Sequence, residues 1–280
     1  MKKKGILFVI LLFFLTVAVV YLGYSYSDKQ QEELIHATST AADTEVIENN
    51  DETTETTDPT VYEENRDELS VLNYLKYIST KKDATGVAFY GQLSEAETWT
   101  EDVVKAIETE LSTEVIAASF GETETDSYEL YINNTAQELV ETNADVVFFM
   151  VPALGDQVRD ISLVDAKDYL KRNVTQIQEV LPDALVVLVS PSPTTNDSVN
   201  SRMLDYTQYI NSELEVAEEN DWPLVDIHTV YTEKLTVENL ALTDLVQEDG
   251  FTLNSQGEEF LTELFIEQLS VPVNTTSGMN

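Results

Sequence analysis

The sequence predicts an α/β domain with a parallel sheet covered by helices on both sides, and three observations predict it. First, five apolar runs rich in β-branched residues recur along the chain: GVAFYG, EVIAASFG, ADVVFFMVPAL, ALVVLVSPSP and PLVDIHTVY. Second, amphipathic stretches separate them, which is the strand–helix–strand order of parallel α/β folds. Third, the runs are almost continuously apolar rather than alternating, as expected for strands buried on both faces.

The elements follow in order. The chain opens with three lysines and an apolar run from Gly5 to Gly23. At 1.5 Å per residue that run spans about 28 Å, close to the thickness of a bilayer core. The lysines should stay in the cytoplasm and place the rest of the chain outside, and Tyr21, Tyr24 and Tyr26 suit an interfacial belt. Residues 1–26 are therefore expected to be an uncleaved transmembrane signal-anchor in the cell membrane. Residues 27–68 are rich in Thr, Glu and Asp, as in TEVIENNDETTETTDPTVYEENRDE, without sustained apolar periodicity. They are expected to be a disordered, self-repelling tether of roughly 35 Å. His36 lies in this tether and is expected to be inert.

The globular domain is expected over 69–270, with a disordered tail over 271–280. In residues 100–111, Val103, Val104, Ile107 and Leu111 share one helical face. In 163–181, Val164, Ala166, Leu170, Val174, Ile177 and Leu181 do the same. Residues 202–219 and 255–269 complete the helical set, and PLVDIHTVY is assigned to the fifth strand. Trp99 and Trp222 are expected to pack in the core or a lid.

Charge and composition exclude several functions. The 280 residues include 52 acidic and 15 basic side chains, for a formal net charge of -37. Nucleic-acid binding needs a basic footprint, and anionic headgroups repel such a surface. There is no cysteine, so disulfides, thiolate metal sites and cysteine catalysis are excluded. His36 and His228 are the only histidines, which argues against an imidazole metal centre. No G-x-G-x-x-G or G-x-x-x-x-G-K-[ST] motif follows any strand, so no nucleotide cofactor is expected.

Ligands of open α/β sheets bind at the carboxyl ends of the strands. There the chain resembles the SGNH/GDSL hydrolase superfamily, over roughly residues 85–269. The resemblance implies a flavodoxin-like three-layer α/β/α fold with a five-stranded parallel sheet and chemistry on acyl esters. The family's first block is Gly-Asp-Ser, whose serine is the nucleophile. In FYGQLSEAETW, Gly91 is kept, Gln92 and Leu93 take the Asp and Ser places, and Ser94 comes one residue late. The second block supplies an oxyanion glycine, matched by Gly121. The third, Gly-x-Asn-Asp, is met by Pro152 and Leu154 at the Gly and Asn places. The last, Asp-x-x-His, is met by Asp249 and Thr252, so threonine stands where the family has histidine.

These departures bear on chemistry. A serine hydroxyl needs a base, and threonine cannot serve as one near neutral pH. Removing a triad member costs on the order of 10⁶ in rate, and losing an oxyanion donor about 10²–10³. The expectation is a catalytically degenerate protein of the bacterial cell envelope that binds an envelope polysaccharide or a cell-wall assembly protein. The rival is an active acyl esterase or O-acyltransferase using Ser94 as nucleophile, His228 as base and Asp226 or Asp249 as the orienting carboxylate. The plainer assignments are a capping box of Ser94 with Glu97, a hydrogen-bonded structural His228, and a loop-stabilising Asp249. Arg159, in GDQVRD, is a candidate for binding a carboxylate or phosphate, or for pairing with nearby acids.

Overall fold

The computed structural model describes residues 62–276 except 64, 95 and 96. The expected anchor (1–26), most of the tether and the last four residues lie outside the described residues. Among the described residues, no helix is long and apolar enough to cross a membrane.

Five strands form one parallel sheet in the order β2-β1-β3-β4-β5. They are β1 (Ala84–Gly91), β2 (Glu114–Gly121), β3 (Val146–Met150), β4 (Leu185–Val189) and β5 (Leu224–Val225). β1 lies between β2 and β3, with Gly91 in register with Gly121 on one side and Met150 on the other. Side chains alternate between the two faces. Val87, Phe89, Val146, Phe148, Leu185 and Val187 enter one core; Ala88, Tyr90, Val147, Phe149, Val186 and Leu188 enter the other. Both faces are buried, which explains why these strands read as unbroken apolar runs.

The first face is covered by α1 (Val71–Ser79), α2 (Trp99–Leu111), α7 (Ile227–Glu238) and α8 (Ser255–Leu269). The second is covered by α3 (Ser127–Ile132), a 3-10 helix (Thr135–Thr142), α5 (Leu163–Val180) and α6 (Tyr206–Glu219). Short α4 (Ala153–Val158) follows β3 and packs through Ala153 and Leu154 with Ala166 of α5 and Tyr209 and Ile210 of α6. The result is the three-layer, five-stranded parallel architecture expected from the sequence.

Several boundaries differ, each for a local reason. The expected helix over 202–219 starts at Tyr206, because Asp205 caps it. Asp205 Oδ1 accepts from Gln208 N at 2.8 Å, and Gln208 Oε1 accepts from Asp205 N at 2.9 Å. The fifth strand is only two residues long. Asp226 ends it by accepting from Thr229 N at 3.2 Å, so IHTVY begins a helix. The domain also reaches past 69–270. Tyr62 is buried, Val273 N donates to Leu69 O at 2.9 Å, and Thr275 N donates to Arg66 O at 3.2 Å. These contacts tie the end of the expected tether to the start of the expected tail.

Candidate functional site

The order β2-β1-β3 places a topological switch at the carboxyl ends of β1 and β3, where open α/β sheets form ligand crevices. A cavity of about 70 Å³ lies there. Gln92, Leu93, Ser94, Glu97 and Trp99 line it from the connection after β1. Thr123 follows β2, Met150 and Leu154 follow β3, and Pro191 and Ser192 follow β4. Tyr206, Phe251, Thr252 and Leu261 close it.

Close backbone approach shapes the floor. Gly91 has φ +110°, and a side chain on it would meet Met150 O at 2.3 Å. A side chain on Gly121 would meet Gly91 O at 2.0 Å. Only glycine at both positions lets three strand ends converge beneath the cavity.

Two polar side chains are held in place at the cavity. Gln92 Oε1 accepts from Leu154 N at 3.0 Å and from Gly155 N at 3.3 Å, so the amide caps the start of α4. Glu97 Oε1 accepts from Leu253 N at 2.9 Å, and its Oε2 from Trp99 Nε1 at 3.2 Å. Burial raises the Glu97 pKa above the ordinary carboxyl value; the Leu253 N–H opposes this, while Glu258 and Asp249 add to it. Glu97 thus clamps the loop before α8 to the loop after β1. That loop is also braced from within. Asp249 Oδ1 accepts from Phe251 N at 3.0 Å and Thr252 N at 2.9 Å, and Gly250 O accepts from Thr195 N at 2.9 Å. Burial pushes the Asp249 pKa up, but the bonds from Thr252 and Phe251 outweigh it and the net shift is downward.

No family model matches the chain, and no curated protein matches it. Solved structures do. A carbohydrate esterase family 3 protein from Talaromyces cellulolyticus matches at 16% identity, TM-score 0.52, over 66% of this chain and 96% of that one. A mutant acetyl esterase with acetate ion matches at 16% identity, TM-score 0.52, over 66% of this chain and 96% of that one. A protein described as a GDSL-like lipase from Parabacteroides merdae matches at 12% identity, TM-score 0.51, over 67% of this chain and 96% of that one. The fold is SGNH/GDSL-hydrolase-like.

In an SGNH/GDSL-like fold, the positions singled out from the sequence fall as follows. Leu93, Leu154 and Thr252, at the family's Ser, Asn and His places, all line the one cavity. Ser94 lines it too. His228 does not. It sits in the first turn of α7 and lines a separate cavity with Pro193, Thr194, Asp197 and Asp205; Tyr206 lines both. The imidazole packs edge-on against Tyr206 with ring centroids 6.2 Å apart, and its Nδ1 is buried without a hydrogen-bond partner. Burial lowers its pKa, partly offset by Asp226 and the Pro191 carbonyl.

The expected Asp226–His228 arrangement on one strand face is corrected, because the two residues start a helix instead. Asp226 Oδ1 accepts from Ser190 Oγ at 2.8 Å, and that hydroxyl accepts from His228 N at 2.9 Å. Asp226 therefore orients a serine and a helix start rather than the imidazole. The Ser94–Glu97 capping box is corrected as well. α2 begins at Trp99, and Glu258 Oε2 of α8 accepts from Thr98 N at 2.7 Å and Thr98 Oγ1 at 2.9 Å. Arg159 pairs with Asp126 at 2.9 Å and Glu129 at 3.1 Å, outside the cavity lining. Among the described residues, no cluster of three His, Asp or Glu side chains could hold a metal ion.

The sequence pointed to Gly91, Gly121, Asp249 and Thr252 but not to the fixed amide of Gln92 or the clamp made by Glu97. The one signal for Gln92 was its place in the first block, where the family has aspartate.

Proposed function

We propose that this is a membrane-anchored, extracytoplasmic protein of the bacterial cell envelope whose SGNH/GDSL-like domain binds rather than turns over its ligand. The ligand in this reading is an envelope glycan, presented alone or by a cell-wall assembly partner. The observation that supports it best is the content of the cavity. Leucine, leucine and threonine stand at the nucleophile, oxyanion and base places of the fold, and all three line one cavity. A serine in a cavity without an imidazole in reach is a poor nucleophile. The esterase reading needs His228 at Ser94, whereas His228 lines a different cavity. The apolar run of residues 5–23 and its lysine flank support the anchoring.

The test is p-nitrophenyl acetate hydrolysis by the purified full-length protein. The expected rate is that of buffer, unchanged by Ser94→Ala or His228→Ala. Hydrolysis that either substitution abolishes would show an active esterase and overturn the proposal.

A further inference from the structure

Gln92 offers chemistry that neither the family resemblance nor the structural matches assign. Its Oε1 accepts two backbone N–H groups at the start of α4, at 3.0 and 3.3 Å. Those two donors fix which end of the amide is oxygen, a choice otherwise open in an amide side chain. Nε2 is the other end. No group among the described residues accepts from it, and Gln92 lines the cavity. A rigid N–H₂ donor therefore stands at the cavity wall with its acceptor capacity already used.

We propose that Gln92 is the specificity determinant of this cavity, donating from Nε2 to the carbonyl oxygen of a small uncharged acyl group such as acetamido. The inference rests on the glycan-binding reading above and names the group recognised. A donor without a free acceptor selects an oxygen acceptor. The charge of the surroundings selects its type. Glu97 is the cavity's ionisable carboxyl, no Lys, Arg or His lines it, and the chain carries a net charge of -37. A carboxylate or phosphate oxygen meets no counter-charge there, whereas a neutral carbonyl needs none. Size narrows the group further. About 70 Å³ is far below the roughly 300–1,000 Å³ of sites that engulf a whole drug-sized ligand. It admits a few heavy atoms. The apolar walls from Leu93, Met150 and Leu154 suit a methyl group beside that carbonyl.

The test is calorimetric titration of the full-length protein with three tetrasaccharides: N-acetylated chitotetraose, its fully deacetylated form, and tetragalacturonate. The acetylated oligomer is expected to bind at least about tenfold more tightly than the other two, the size of effect that one well-placed hydrogen bond gives. In Gln92→Glu one carboxylate oxygen can still accept from Leu154 N and Gly155 N, so the cap survives while the donor becomes an acceptor. Its affinity for the acetylated oligomer is expected to fall by about tenfold or more. Binding within about twofold of the unaltered protein overturns the role of Gln92 while leaving glycan binding intact. Equal or tighter binding of tetragalacturonate does the same. An N-butyrylated tetramer needs no protein variant: weaker binding supports the small acyl pocket, and equal binding overturns it. Absence of binding to every oligomer overturns the glycan reading together with this one.

Discussion

Asp156 shows how a single buried side chain couples this fold to pH. It lies in α4, fully buried, where Asp156 Oδ1 accepts from Ser127 N at 2.7 Å and Oδ2 from Ser127 Oγ at 2.8 Å. Burial pushes its pKa up to about 7; the two Ser127 bonds oppose this and Asp126 adds to it. Glu213 of α6 is also buried, its pKa is raised well above the carboxyl range by burial and by Asp156, and its Oε2 has no partner. A carboxyl whose folded pKa exceeds its unfolded value holds its proton more tightly in the native state. Its stabilising contribution is full below about pH 4 and is lost as pH rises through about 7. A difference of that size amounts to on the order of 4 kcal/mol. Asp156→Asn keeps an acceptor for Ser127 but cannot ionise. The stability of this variant relative to the unaltered protein is expected to improve between pH 4 and pH 8 by up to that amount. Urea unfolding at the two pH values measures it, and parallel curves would show that Asp156 does not titrate in this range.

At the scale of elements, much of the fold was legible because its signals are local. β1, β3 and β4 announce themselves by apolar runs, and α5 and α8 by apolar residues at helical spacing. The start of α7 was not legible, because LVDIHTVY satisfies both a strand and a helix. The deciding contact is the Asp226 cap on Thr229 N, which competes with continuing β5. The start of α2 was missed for a different reason. Its cap comes from Glu258, 160 residues away on α8. A carboxylate accepting both the N–H and the hydroxyl of Thr98 joins two helices on one face of the sheet. Glu258→Ala is expected to cost about 1–2 kcal/mol, as loss of a helix cap does, readable as a lowered unfolding midpoint. An unchanged midpoint would mean that solvent replaces the cap at no cost. The same distance argument covers the site. The positions of Leu93, Leu154 and Thr252 were readable from short blocks. The Gln92 and Glu97 bonds were not, since their partners lie 62 and 156 residues away.

The whole molecule is dominated by its charge. A net -37 on 280 residues means mutual repulsion across most of the surface. Lysines and arginines are largely spent on surface pairs such as Lys105–Asp102 and Arg172–Asp168, which add little individually. Screening should therefore stabilise the fold rather than weaken it. Raising sodium chloride from about 10 mM to about 1 M shortens the Debye length from roughly 30 to 3 Å, and the melting temperature is expected to rise. A fall would mean that the pairs outweigh the repulsion.

On the reading proposed above, the cavity keeps the architecture of an ester-cleaving fold without an activated nucleophile. Incubation of the native full-length protein with a fluorophosphonate, followed by peptide mass spectrometry, tests this most directly. The account predicts no adduct on Ser94 or any other cavity residue. A stoichiometric adduct on Ser94 that is lost in His228→Ala would contradict it.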